Sequence, residues 1–478
     1  MPYNTFQKLS SSKLSGVDSI LPFIPEIFNG SGSVSPNTYV TRSGFNKVTL
    51  GVIPSGRTGT SPHTALRVYR STDGGNNYSF YSGITGSAGI GYNFTDTGLT
   101  TGTTYFYRFG LSGLIGGVSY ETTGSGFGIS TKTPVIATGG DYTFGDGSLW
   151  TGWSNIKFSK HHVYKKSANF VVANAGSGLD FQEKLHVFLV GGGGGGGRSY
   201  GGGGGGGGLS HITGLTLSNN TTYSVIVGAG GGESVGAGAA AGNNGGHSSI
   251  FNYTGYGGGA GGGELISGKT GACGGGAGYY SNAFDAIAAS GFSGSNATGL
   301  CLLGWTNTTH NTGRYNFQGF PGGRHYYGGA AGGGGGGTLQ SGIGGTGPYY
   351  AQRSFGGTGF VMANAVSPFY YPPFTGYPTL FYQWVSKVLT SGGANVTLGG
   401  GGGGGGAYAG AGATNAGNGS SNFGQDYYSY PAGLGGAGTY YGAGGGGGGK
   451  ASGGGGPGYS GVVIIAYVTG DYTNPTGN

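Results

Sequence analysis

The chain has 478 residues, of which 125 are glycine and only 7% are charged, so a charge-laced coiled coil and a polyelectrolyte-type disordered chain are both excluded. Collagen is excluded too, because its glycine falls at every third position with abundant proline, whereas here glycine comes in solid runs and proline totals 16. The net charge of +7 comes from 21 thinly spread Lys and Arg, too dispersed for a nucleic-acid groove, where each phosphate contact needs its own cation.

The N-terminus is polar from Met1 to Ser19, and the apolar cluster from Leu21 to Phe28 is interrupted by Pro22, Pro25 and Glu26. That is no secretory signal core, and no stretch reaches the ~20 apolar residues of a membrane span. Synthesis in a cytoplasm is expected, with residues 1–33 as a docking segment. From 34 to 134 the texture becomes β-type. Val48, Leu50 and Val52 alternate, as do Leu66 and Val68 before Arg70 and the turn residues Asp73, Gly74, Gly75 and Asn76. Tyr78, Phe80, Tyr92 and Phe94 continue the pattern, and Leu99 leads through Thr-Thr-Gly-Thr-Thr to Tyr105, Tyr107 and Phe109. Short β runs with turn signals at such intervals are the rhythm of an all-β sandwich.

The stretch from Leu99 to Phe109 resembles the fibronectin type III module, which places a Leu six residues before a Tyr whose ring packs while its hydroxyl bonds backbone. The resemblance implies a spacer or binding module over 34–134. The Trp that the family carries on its second strand is absent, with Val52 or a neighbour in its place.

Residues 135–180 read as a bridging β segment with Trp150, Trp153, Phe158 and Tyr164. Its densest basic stretch, Lys157, Lys160, His161, His162, Lys165 and Lys166, is expected to be a solvated strand-and-loop face. Glycine then rises from 29 of the first 180 residues to 96 of the remaining 298, which marks 181–478 as a glycine-rich domain. Its solid runs are 191–197, 201–208, 332–337, 399–406, 444–449 and 453–456. Glycine loses more freedom on folding than any other residue, so the runs need a compensating structure. Polyglycine-II helices of three residues per turn, each N–H bonded to a neighbouring helix, would supply it, and a Cβ would block their approach. Interleaved strands argue against a flexible linker: Leu185, Val187 and Leu189; Tyr223, Val225 and Val227; Ser249 to Phe251; and Val462 to Val468. The last, long and apolar, suggests an interface between subunits.

Little of this composition supports catalysis, and no enzyme activity, cofactor or metal site is expected. Gly444 to Lys450 has phosphate-loop spacing but is followed by Ala451 instead of Ser or Thr. Asp180, Glu183, Glu233, Glu264 and Asp285 show no spacing that singles out a pair. His161 and His162, adjacent on a strand, would face opposite sides. Cys273 and Cys301 offer no metal spacing and are expected to be buried thiols.

The order of elements resembles the glycine-rich domain of bacteriophage tail fibres and related virion proteins. It runs from Val190 into glycine, through Tyr-x-Val-x-Val-Gly-Ala-Gly-Gly (Tyr223 to Gly231) and Gly-Gly-His-Ser-Ser-Ile-Phe (Gly245 to Phe251), to Ser-Gly-Val-Val-Ile-Ile (Ser460 to Ile465). The resemblance implies a virion structural protein that attaches to a host surface, a homotrimer, with the N-terminus docked on other tail proteins and a cell-surface glycan or outer-membrane protein as receptor. Tyr supplies contact area with a polar tip, which makes the aromatic segments between runs the candidate receptor-binding residues: Arg324, Tyr326, Tyr327, Tyr349, Tyr350, Tyr370, Tyr371, Tyr382 and Trp384. The same rings could instead seal the glycine core. The rival reading is a non-receptor structural protein, a capsid decoration or an extracellular glycine-rich filament.

Overall fold

The computed structural model describes residues 36–54, 63–85, 92–115, 118–145, 160–179, 183–234, 238–279, 304–305, 313–317, 319–323, 332–338, 340–344, 354–362, 389, 396–405, 412, 434–449 and 453–470. The fold is all-β. It divides into two compact units, one of residues 1–135, 175–180 and 469–478, the other of 136–174 and 181–468. The proposed docking segment, Trp150, Trp153, Phe158, Lys157 and Cys301 lie outside the described residues.

The first unit contains β1 (Pro36–Ser43), β2 (Lys47–Pro54), β3 (His63–Ser71), β4 (Ser79–Thr85), β5 (Tyr92–Thr97), β6 (Thr104–Ile115), β7 (Val118–Thr123) and β8 (Phe127–Ser130). One antiparallel sheet has the order β1-β2-β5, and the other β4-β3-β6-β7, with β8 also on β6. Period-2 alternation sends Val48, Leu50 and Phe94 of the first sheet and Leu66, Val68, Tyr107, Phe109 and Ile129 of the second into one core. Each large side chain so buried contributes roughly 1.5–3 kcal/mol. Asp96 is also buried there, accepting hydrogen bonds from Tyr107 (2.6 Å), Tyr81 (2.7 Å) and Arg70 (3.0 Å). Burial, with the bond to Asp96, holds the Tyr107 hydroxyl well above its ordinary pKa. At the turn into β6 the Thr100 N–H donates to Tyr105 Oη at 2.8 Å, and Leu99 is buried.

The remaining strands are β9 (Thr133–Thr138), β10 (Tyr142–Gly145), β11 (Lys160–Tyr164), β12 (Ala168–Ser177), β13 (Leu185–Val190), β14 (Leu209–Leu215), β15 (Thr221–Val225), β16 (Ser248–Ile250), β17 (Tyr253–Gly255), β18 (Gly304–Trp305), β19 (Gly313–Phe317), β20 (Phe360–Met362), β21 (Val396–Leu398) and β22 (Val462–Tyr467). A seven-stranded sheet runs β10-β11-β22-β13-β14-β19-β18, beside the three-stranded β15-β12-β9 and the hairpins β16-β17 and β20-β21. β13 and β22 are buried at every residue, which explains runs without polar alternation. The expectation that Val462 to Val468 forms a subunit interface is corrected here: β22 lies between β11 and β13 of its own chain, so its apolar surface is already covered. His162 stacks on Tyr467 and meets Phe170 of β12 edge-on.

The sheet does not stop where glycine begins. Val190 pairs Leu209 at the end of the β13–β14 ladder, and the same register continues as Gly191, Gly194 and Gly197 donate to Gly208, Gly205 and Gly202. The other N–H groups of this run point elsewhere: Gly192 and Gly195 donate to Gly246 and Asn243, while Gly193 and Gly196 donate to Tyr459 and Gly456. Partners therefore repeat every third residue, the period of a polyglycine-II helix. The run 201–208 bonds six neighbours in this way, through segments 191–197, 256–262, 273–276, 333–336, 402–405 and 442–448. The glycine runs thus form a lattice of extended helices, parallel and antiparallel, in which every N–H of 191–197 and 201–208 donates to a backbone carbonyl. A Cβ built on Gly191, Gly204 or Gly445 would lie 2.0 to 2.1 Å from a neighbouring carbonyl oxygen, so no other residue fits those positions.

Candidate functional site

The lattice has two distinct ends. At one it merges into the seven-stranded sheet; at the other the chain reverses through Arg198, Ser199 and Tyr200, seven residues or about 22 Å away at ~3.1 Å per residue. Because β13 enters the lattice from the sheet and β22 returns to it, the reversal end is remote from both points where the chain joins and leaves.

All nine candidate receptor-binding residues, Arg324, Tyr326, Tyr327, Tyr349, Tyr350, Tyr370, Tyr371, Tyr382 and Trp384, lie outside the described residues. Gly332 donates to Gly405, which donates to Gly201, the first glycine after the reversal, and Gly323 accepts from Ala277 and donates to Gly334. Gly323 and Gly332 therefore lie at the remote end, and Ile343 donates to Phe355 at the level of Gly334. Gly399, by contrast, sits against Leu209 of the sheet.

Among the described residues, the remote end carries a short row of large side chains. Tyr279 donates its N–H to the Tyr200 carbonyl at 3.0 Å, Leu265 donates to Tyr279 at 2.7 Å, and the two tyrosine rings lie 5.2 Å apart. Ser199, Tyr200 and Leu265 adopt φ of 49°, 49° and 64°, a region disfavoured for residues with a Cβ. Side chains therefore sit at three positions whose backbone favours glycine, each at a cost of about 1 kcal/mol or more.

The basic stretch departs from expectation. Lys165 and Lys166 are exposed, but His161 and His162 are buried on opposite faces of β11, so the stretch is not a solvated face. Burial pushes His161 down to about 4, with His162 adding to the effect, and burial likewise takes His162 to about 4. His162 is held by the Gly139 carbonyl at 2.8 Å and Tyr467 Oη at 2.9 Å. His211, stacked on His186, is lowered well below the ordinary value by complete burial. No group of three or more His, Cys, Asp or Glu is placed to hold a metal ion among the described residues. In the Gly444–Gly449 run, the N–H groups of residues 444 to 448 are bonded to Gly400, Gly194, Gly436, Gly403 and Gly197, which leaves them unavailable to a phosphate. Glu183 is buried, while Glu233 is exposed and Glu264 half-buried; Asp180 and Asp285 lie outside the described residues. Cys273 is buried in the lattice.

One feature escaped the sequence reading. The Ser218 N–H donates to Tyr223 Oη at 3.1 Å with Leu217 buried, the same corner that Leu99, Thr100 and Tyr105 make. The two share the pattern Leu-Ser/Thr-x-Gly/Asn-Thr-Thr-Tyr, with Gly102 and Asn220 both at positive φ, and aligning those heptads would have revealed it. The corner is therefore not peculiar to the first unit.

A family model described as a glycine-rich domain matches residues 172–366. The match opens on β12 and takes in the runs 191–197, 201–208 and 332–337, yet the lattice extends past it, since Gly402 donates to Gly204 and Gly445 to Gly194. No curated protein matches the chain.

Proposed function

We propose that this chain is a virion structural protein, a tail fibre or tail-tip protein, that attaches to a host surface through the aromatic segments between the glycine runs. The observation that carries the reading is the lattice itself: a rigid, almost side-chain-free scaffold leaves recognition to the connections at its ends, and binding residues generally sit on loops held by such scaffolds. Arg324, Tyr326, Tyr327, Tyr349 and Tyr350 fall in sequence between the glycine runs, in segments free to carry side chains. Tyr and Arg are the types that dominate binding hot spots. Strand order and the Tyr105 corner support a fibronectin type III-like spacer over 34–134. The resemblance to phage fibres remains the support for a homotrimer.

Replacing Arg324, Tyr326 and Tyr327 by Ala is expected to lower adsorption to host cells while melting temperature and sedimentation match the parent. The triple Ala variant of Tyr370, Tyr371 and Tyr382 is a separate test and is expected to lower adsorption likewise. Normal adsorption by the first variant, together with loss of adsorption on deleting residues 34–134, would refute the assignment. A monomer of 47 kDa at all concentrations in sedimentation would remove the trimer.

A further inference from the structure

Three arginines of the β4-β3-β6-β7 sheet meet aromatic rings, Arg70 on its inward face and Arg67 and Arg108 on its outward face. Arg70 is paired with Asp96 at 3.0 Å, and Arg67 with Glu121 at 3.4 Å while also lying 5.6 Å from the Phe80 ring. Arg108 has no carboxylate partner among the described residues. It lies directly across the ladder from Tyr69 and is flanked by two rings, with its guanidinium carbon 5.3 Å from the Tyr69 ring and 5.0 Å from that of Tyr78. Its Nε is buried without a hydrogen-bond partner, although the residue as a whole stays partly exposed.

The surroundings hold this arrangement in place. Tyr69 donates its hydroxyl to Glu121 and meets Phe80 edge-on at 5.9 Å. Tyr78 ends a braced loop in which Asp73 accepts from the Asn77 N–H at 2.8 Å and its Nδ2 at 2.6 Å, and Ser71 Oγ accepts from Gly75 at 2.8 Å. Gly126 leaves the space that the Tyr78 hydroxyl occupies, for a Cβ there would lie 1.9 Å from it. Phe80, 57% exposed, stands on β4 on the far side of Tyr69, with the Arg67 guanidinium 5.6 Å from its ring.

We infer that Arg108, between Tyr69 and Tyr78, with the exposed Phe80 one strand beyond Tyr69, forms a binding subsite for a carboxylate-bearing sugar, a uronic-acid unit of an acidic glycan. An unpaired guanidinium is a planar fork for a carboxylate, and the exposed Phe80 ring can stack on the apolar side of a neighbouring sugar unit of the same glycan. An acidic peptide would satisfy the cation but would make no use of that flat aromatic surface. The inference stands apart from the attachment reading, since it concerns the first unit and not the lattice.

The test is calorimetric titration of the full chain with hexagalacturonate, with maltohexaose and hexaglutamate as separate titrants. Hexagalacturonate is expected to bind, more weakly as salt rises, and Arg108→Gln is expected to weaken it about tenfold or more. Arg108→Lys, which keeps the charge without the fork, should lose part of that affinity. Maltohexaose and hexaglutamate should both bind at least about tenfold more weakly than the uronate. Failure of the parent to bind hexagalacturonate, unchanged affinity in Arg108→Gln, or equal binding of either control would overturn the inference. Should Arg108→Gln not fold, Arg108→Lys and the surface variant Phe80→Ser decide the matter, and unaltered affinity in both would overturn it equally.

Discussion

A single methyl group tests the glycine lattice. On Gly204 it would sit 2.1 Å from the Gly194 carbonyl oxygen, inside a backbone that cannot move without breaking its own hydrogen bonds, whereas on Gly232 its nearest neighbour is the Asn243 side-chain nitrogen at 3.2 Å. Gly204→Ala is therefore expected to destabilise the protein by about 3 kcal/mol or more, through overpacking and lost hydrogen bonds. Gly232→Ala should stay within about 1 kcal/mol and could gain from a less flexible unfolded chain. Comparing the two melting temperatures checks this, and equal losses would sink the packed-lattice account. The sequence showed that these positions demand glycine in runs. It did not show which glycines tolerate a side chain, because that depends on which neighbouring segment lies opposite each turn of helix.

At the scale of an element, β11 and β22 set the acid response. His161 and His162 are held near 4 by burial, against about 6.5 for an exposed His, so both are neutral in the folded state and take up protons more readily on unfolding. Their contribution is complete above about pH 6.5 and is lost as pH falls from there through 4, at a limit of about 3 kcal/mol for each. Thermal melts between pH 7.5 and 4 should show a declining acid limb that is shallower in His161→Leu. An identical limb in that variant would mean that other groups govern acid unfolding. The strand itself was legible from the sequence, and so was the opposite facing of two adjacent histidines. Their burial was not, because β22 comes from the far end of the chain to pair with β11, with Tyr467 stacked on His162 and Phe170 against it, and local charge pattern carries no record of such partners.

For the whole molecule, continuity between sheet and lattice predicts slow amide exchange of glycine. The N–H groups of 191–197 and 201–208 are bonded to backbone carbonyls and nearly all of these residues are buried, so their exchange should track the neighbouring strands β13 and β14. Random-coil rates in the runs with protection confined to the strands would contradict the bonding described above. The glycine runs have no side chains to bury, which makes these backbone bonds the main cohesion of the lattice.

By itself the sequence determined composition-level facts: an all-β chain, a glycine region that must pack or remain unfolded, the Leu99–Tyr105 corner, and a period of three for the runs, since only glycine allows such close approach. Tertiary structure alone decided the lattice's neighbours, the interior place of β22 and the burial of His161 and His162. The physical reason is that glycine has no side chain to encode a partner. Its runs are interchangeable as sequence, and their order in the lattice is imposed by the strands that enter it, above all by the β13–β14 and β13–β22 registers that continue unbroken into glycine.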